Sequence, residues 1–319
     1  MKYRKLGRTG FDVSEIGLGT WAFASGAYGD VEENDAIRAI HDAIDVGINF
    51  FDTAPLYGHA EQDGVSEIIL GKGLEGRRDA VLISTKFGRN PSDGCAPNFH
   101  AKRAKSSVEE SLIRLKTDRL DVLFFHSPFS PEEIHDDVWE ALSELKLEGK
   151  VCAVGHSISM FQNTENMART WAEERKIDVI QVVYSLMNRE SQQLILDLGA
   201  QGIGVVARES LGNGFLSGTV TNDTVFPPNN LNSRYSREEI AERVAYVEEY
   251  RYLIRDDITS MPQAALRWVL DNPLVSVVLT GARNTAELND CAATSDASSF
   301  SRSELDRADS LHSKDYPAA

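Results

Sequence analysis

Short apolar, β-branched runs alternate with amphipathic stretches along almost the whole chain. Eight runs read as strands: Ile16–Gly19, Ile48–Asp52, Val81–Lys86, Asp121–His126, Val151–Gly155, Asp178–Val182, Ile203–Ala207 and Ser276–Leu279. Most lack polar alternation, the pattern of strands buried on both faces. Between them, apolar residues recur at helical spacing: Ile37, Ile40 and Ile44; Val108, Leu112 and Leu115; Val138, Leu142 and Leu145. Asp30 and Glu33 are spaced as a capping box ahead of the first such helix, and Gly47, Gly73, Gly149 and Gly202 fall where helices should stop.

Eight strand–helix units can be arranged in two ways. A closed parallel barrel removes every exposed edge, whereas an open doubly wound sheet calls for a glycine-rich turn after its first strand. Gly17-Leu-Gly19-Thr-Trp21 lacks the third glycine of that turn. Gly212-Asn-Gly214-Phe-Leu-Ser-Gly218 has the wrong spacing and runs on into Thr, Asn and Pro. The pattern therefore predicts an α/β fold, one (β/α)8 TIM barrel over residues 1–319. Tyr3–Leu6 and Phe11–Val13 flank Gly7-Arg8-Thr9-Gly10 and predict a β-hairpin within residues 1–14, capping the N-terminal mouth. The polar stretch Thr219–Tyr235, with Pro227 and Pro228, is expected to be either disordered or a lid over the opposite mouth. Residues 284–319 carry two further helical patterns and read as a C-terminal helical extension.

The chain has 33 Lys+Arg against 49 Asp+Glu, a formal net charge of −16, which argues against non-specific nucleic-acid binding. Small anionic ligands are still admitted, because one arginine at a helix N-terminus suffices to hold them. Hydrophobic residues make up 42% of the 319, enough for a large core without disulfides or a structural metal. No apolar run reaches the length of a membrane span, and the N-terminus lacks the apolar stretch of a secretory signal. Cys95, Cys152 and Cys291 are odd in number and widely spaced, so reduced thiols in the cytoplasm are expected. No metal is expected: His41, His59, His100, His135 and His312 have no ligand-spaced partners, and no HExxH or P-loop occurs.

In a barrel, groups at the C-terminal ends of the strands converge on one mouth. Asp52, Lys86 and His126 end the second, third and fourth predicted strands, and Tyr57 follows Asp52 in the next loop. Together they form an acid–base set. A phenol normally titrates near 10. An ammonium beside it would favour phenolate, a carboxylate would hold that ammonium, and an imidazole would orient a substrate oxygen.

These segments resemble the aldo-keto reductases. The likeness is carried by Gly17-Leu-Gly19-Thr20-Trp21, Asn49-Phe-Phe-Asp52-Thr-Ala-Pro-Leu-Tyr57-Gly58, Ser84-Thr-Lys86-Phe-Gly88, Asp121-Val-Leu-Phe-Phe-His126 and Gly281-Ala-Arg283-Asn284. The resemblance implies a barrel that binds NADP(H) across its mouth, and a reaction interconverting an aldehyde or ketone, a sugar-derived one included, with its alcohol. Tyr57 would be the general acid/base, tuned by Lys86 and Asp52, with His126 orienting the carbonyl. Trp21, Tyr57 and His126 would line the substrate pocket, and the loop around Asn90–Phe99 would shape specificity.

The resemblance also implies Gly19, Thr20 and Asp52 at the cofactor. Ser157 and Gln181 would bind its carboxamide, and Tyr184 would stack on the nicotinamide. The backbone at Leu211 and Gly212 would approach the pyrophosphate, and Gly281, Arg283 and Glu287 would hold the adenosine end. Ile158 stands where the family usually has Asn, and Glu209-Ser210 where it has Ser-Pro; Arg208 and Glu209 receive no role. Arg283, ahead of the capping-box pattern Asn284–Glu287, favours NADP(H) over NAD(H). The alternative reading is a nicotinamide-binding sensory or auxiliary subunit with slow or no turnover. A metal-dependent barrel hydrolase lacks ligands.

Overall fold

Each of the eight predicted runs is a strand, with ends displaced by at most two residues. The structure is a computed structural model that describes residues 1–24, 29, 31–59 and 61–317. A short antiparallel pair comes first, β1 (Tyr3–Lys5) and β2 (Asp12–Ser14), followed by β3 (Ile16–Gly19) and α1 (Glu33–Asp45). Then come β4 (Phe50–Asp52), α2 (Val65–Gly73), β5 (Leu82–Phe87), α3 (Ala101–Leu115), β6 (Leu120–His126) and α4 (Asp137–Leu147). The alternation continues through β7 (Val151–Ser157), α5 (Phe161–Glu173), β8 (Val179–Val183), α6 (Gln192–Ala200) and β9 (Gly204–Arg208). The chain ends with α7 (Arg237–Glu248), α8 (Met261–Leu270), β10 (Val277–Thr280), α9 (Thr285–Ala293) and α10 (Arg302–Leu311).

β3 to β10 pair in parallel in chain order, and β10 closes the ring on β3. Closure explains the absence of polar alternation: both faces are covered, one by the barrel interior and one by helices. Side chains of alternating parity therefore enter two cores. Phe50, Val122, Phe124, Val179, Val206 and Val277 fill the barrel interior. Their strand neighbours Phe51, Leu123, Phe125, Ile180, Val205 and Val278 pack outward under the helices. Burying a phenylalanine here contributes about 2–3 kcal/mol. Gly155 makes room for one of these rings, since a Cβ there would come within 2.4 Å of Phe124.

The hairpin closes the floor. Leu6 and Val13 join the interior core, and the Arg8 N–H donates to the Gly202 carbonyl at 2.8 Å. Gly7, at φ +51°, lies so close to β9 that a Cβ would sit 2.2 Å from the Gly204 nitrogen. With the floor of the barrel interior sealed, the interior opens at the C-terminal mouth, where strand-end side chains converge.

One predicted cap is absent. α1 begins at Glu33 with Glu32 at its N-cap, so Glu33 is two positions too early to close a box, and Asp30 lies outside the described residues. Full capping boxes occur instead at Ser236/Glu239 and Ser301/Glu304, ahead of α7 and α10. The stretch 219–235 holds a 3₁₀ turn at Leu231–Arg234 and is tied to the segment after β9: the Asn232 side-chain amide donates to the Asn213 carbonyl at 2.8 Å. Among the described residues, no helix is long and apolar enough to cross a membrane.

Candidate active site

Strand register brings a ring of polar side chains to the upper interior of the barrel. Asp52 pairs in register with Ser84, His126 with Ser157, Ser157 with Gln181, and Val183 with Arg208. Each polar member lies an even number of residues along its strand from an interior core residue, such as Phe50 on β4, Phe124 on β6 or Val206 on β9, so each points inward.

Lys86 is the hub. Its Nζ donates to Asp52 Oδ2 at 2.7 Å, to the Thr53 carbonyl at 2.9 Å and to the Tyr57 hydroxyl at 3.1 Å. Burial pulls the ammonium's pKa down, but Asp52 and Tyr57 outweigh burial and hold it above the ordinary lysine value. The other Asp52 oxygen accepts from Ser84 Oγ at 2.7 Å and from Gln181 Nε2 at 2.8 Å. Gln181 Oε1 in turn accepts from Ser157 Oγ at 3.0 Å. The carboxylate is thus fixed from both sides, and the chain Lys86–Asp52–Gln181–Ser157 spans the mouth.

The Tyr57 loop is set by backbone bonds. Its N–H donates to the Ala54 carbonyl at 3.0 Å, its carbonyl accepts from the Ser66 N–H at 3.0 Å, and Ser66 Oγ donates to the Thr20 carbonyl at 2.7 Å. The Trp21 ring lies 6.2 Å from the Tyr57 ring, and the His126 ring meets it edge-on at 5.9 Å. The phenol titrates above its ordinary value: burial raises it and outweighs the opposing pull of Lys86. The sequence reading of a lowered phenol pKa is therefore reversed, because desolvation exceeds the ammonium's effect. Such a phenol is protonated at neutral pH and suits proton donation. Burial, followed by Lys86, Arg208 and Arg89, holds His126 well below the usual imidazole range, and its Nδ1 is buried without a partner among the described residues. A neutral ring has one N–H to offer a substrate oxygen.

The expected cofactor residues divide. Ser157 and Gln181 are buried in the ring; a primary amide with one donor and one acceptor in use keeps one N–H and one lone pair for a second amide. Gly19 ends β3 at the mouth, but the Thr20 hydroxyl is engaged by the Asp52 carbonyl at 3.1 Å. Leu211 and Gly212 lie in the half-exposed turn after β9.

Tyr184 does not join them. Gln181 faces inward and Tyr184, three positions on, takes the opposite side; it is 4% exposed and its ring packs on Trp268 of α8 at 5.0 Å. Its ring belongs to the core under the helices rather than to the barrel interior. Arg208, left without a role by the sequence, occupies the inner face instead. Residue 209 follows it in a left-handed conformation, φ +54°, unusual for a glutamate.

Gly281 is open, with nothing within 4 Å of a Cβ built there. Arg283 stands at the start of α9, next to the loop that follows β3. Its guanidinium pairs with Glu287 at 2.8 Å, and its backbone N–H also donates to Glu287, at 3.0 Å. Asn284 accepts from the Glu287 N–H at 3.0 Å, but the Glu287 carboxylate reaches Arg283 rather than the N-cap, leaving half of the expected capping box.

The family model of the aldo/keto reductase family matches residues 15–313. The aldo-keto reductase YhdN of Bacillus subtilis (strain 168) is 32% identical over 297 residues, covering 90% of this chain and 87% of its own. The NADH-specific methylglyoxal reductase of Escherichia coli (strain K12) is 30% identical over 316 residues, covering 91% and 94%. The glycerol dehydrogenase AKR11B4 of Gluconobacter oxydans superimposes with a TM-score of 0.81 at 27% identity, over 97% of this chain and 94% of that one. The match takes in every barrel strand and each member of the inward-facing ring, and the chain belongs to the aldo/keto reductase family of oxidoreductases.

Proposed function

We propose that the chain reduces a small aldehyde or ketone with NADP(H), Tyr57 serving as the general acid. The single observation that carries this reading is the Lys86 ammonium, held by Asp52 at 2.7 Å and donating to the Tyr57 hydroxyl at 3.1 Å. The nicotinamide, when bound, supplies the hydride. Tyr57 holds a proton at its hydroxyl through the neutral range and gives it to the carbonyl oxygen, while Lys86 steadies the phenolate left behind. Neutral His126 donates one hydrogen bond to the same oxygen and sets its angle. Trp21 covers one side of the pocket and limits water. The amide of Gln181 and the hydroxyl of Ser157 would hold the carboxamide, and Arg283 at the N-terminus of α9 would hold the 2′-phosphate. Relatives named for methylglyoxal and for glycerol support a small, oxygen-rich carbonyl substrate. Three free cysteines suit a reducing compartment.

One observation favours NAD(H) as a second reading: the Glu287 carboxylate occupies the Arg283 fork that a phosphate would need. Titration with NADPH and NADH separates the two. Tyr57→Phe tests the acid. Aldehyde-dependent cofactor oxidation should fall by about 10²–10⁴-fold with cofactor affinity kept. Turnover near the unmodified level would refute the assignment. Tight cofactor binding with no turnover over a broad carbonyl panel would favour an auxiliary, non-catalytic role.

A further inference from the structure

We propose that Arg208 makes the mouth prefer the reduced, uncharged nicotinamide to the oxidised, cationic one, and so biases the chain toward carbonyl reduction. The inference rests on the nicotinamide reading above and goes beyond it, because it concerns the redox state of the cofactor rather than its identity.

Position comes first. Arg208 ends β9 on the same face as Val206, which lies in the barrel interior, while Val205 and Ala207 face the helices. The guanidinium is held in place: one nitrogen donates to the Ile158 carbonyl at 3.1 Å and to Ser159 Oγ at 3.0 Å. Those are the two residues after Ser157, whose hydroxyl binds Gln181. A fixed cation therefore stands beside the pair proposed to seat the carboxamide.

Charges of both signs meet at this end of the barrel, where the Asp52 carboxylate is held by the Lys86 ammonium at 2.7 Å. Lys86, Arg208 and Arg89 all oppose a positive charge on His126. Arg208 also acts on the Tyr57 phenol. Glu209 pairs with Arg208 and offsets part of its charge. The action of these cations on His126 runs against the chain's formal net charge of −16, which would by itself attract a cationic ring.

Oxidised and reduced forms of a dinucleotide carry the same phosphates and differ by one positive charge on the ring. Their affinity ratio cancels everything except that charge. An arginine whose charge is offset by about three-quarters by its neighbour, about 4 Å from the ring at an effective dielectric of about 20, changes such a ratio by about fivefold.

The test is equilibrium binding of NADPH and NADP⁺ (or of NADH and NAD⁺, whichever pair binds more tightly), measured by fluorescence or calorimetry without substrate. The unmodified chain should favour the reduced form. Arg208→Gln should lower the ratio by about fivefold, Arg208→Lys should retain it, and Glu209→Gln should widen it. The inference is overturned if Arg208→Gln leaves the ratio unchanged, or if both affinities fall in parallel, as loss of a merely structural residue would produce. Should Arg208→Gln fail to fold, Glu209→Gln decides alone: a widened ratio supports the role and an unchanged one overturns it. No binding of either form by the unmodified chain overturns the nicotinamide reading together with this one.

Discussion

His156 → Leu should make the protein more stable. His156 is fully buried on β7, its ring lies 4.9 Å from Trp171, and neither ring nitrogen has a hydrogen-bond partner among the described residues. An unpartnered buried polar group costs about 1–3 kcal/mol, and leucine is close to histidine in volume. A gain of about 1–2 kcal/mol at pH 7.5 is expected once imperfect repacking is allowed for. The pH dependence is more diagnostic. Burial pushes the imidazole pKa down to about 3, whereas an exposed one titrates near 6.5. Below pH 6.5 the unfolded chain therefore binds a proton that the folded chain refuses. The contribution of His156 to stability is intact above pH 6.5 and is lost as pH falls toward 3, at about 1.4 kcal/mol per unit. By pH 5 that loss is about 2 kcal/mol, so the advantage of the leucine variant should widen to about 3–4 kcal/mol. Urea denaturation of both chains at pH 7.5 and pH 5.0 measures it, and the other buried histidines cancel in the comparison. A variant less stable at pH 7.5, or an advantage independent of pH, would refute the reasoning.

Two further outcomes are expected. Glu287→Gln removes the carboxylate from the Arg283 fork, where the pair is partly exposed (41% and 37%); NADPH affinity should rise about fivefold and NADH affinity should change little, with equal gains for both contradicting phosphate recognition at Arg283. In the pH profile of carbonyl reduction, the raised Tyr57 and the depressed His126 leave no titration between about pH 6 and pH 9; an inflection of kcat/KM near 6.5 would contradict a neutral His126.

The barrel was legible because a strand buried on both faces leaves an apolar run whatever its neighbours, and eight such runs recur between helical patterns. The same alternation placed Asp52, Lys86 and His126 at strand ends. Side-chain direction was harder to read. Gln181 and Tyr184 are three residues apart, so an extended chain sends them to opposite sides, and the ring of Tyr184 went to Trp268. Counting in twos from Val206 would have pointed Arg208 inward. Charge balance was misjudged for another reason: the sequence puts an ammonium beside a phenol but does not say how dry the site is, and at Tyr57 burial wins. The Arg283–Glu287 contact depends on where a carboxylate turns within one helical turn, which spacing alone does not specify.

The seam between β3 and β10 has a consequence for the protein's making. The Thr280 hydroxyl donates to the Gly17 carbonyl across 263 residues of sequence. During synthesis, β3 has no partner on that side until β10 leaves the ribosome, which at about 5–20 residues per second is a wait of roughly 13–50 s. For that interval the nascent chain is an open sheet with a bare parallel edge, the form most prone to pair with a stranger. The mouth is assembled from residues spread between Gly19 and Arg283, so it takes shape as one late event when the ring shuts. Early release or a stalled ribosome yields not a weak enzyme but an adhesive fragment, and a nascent chain of this design belongs in the hands of chaperones until its last strand arrives.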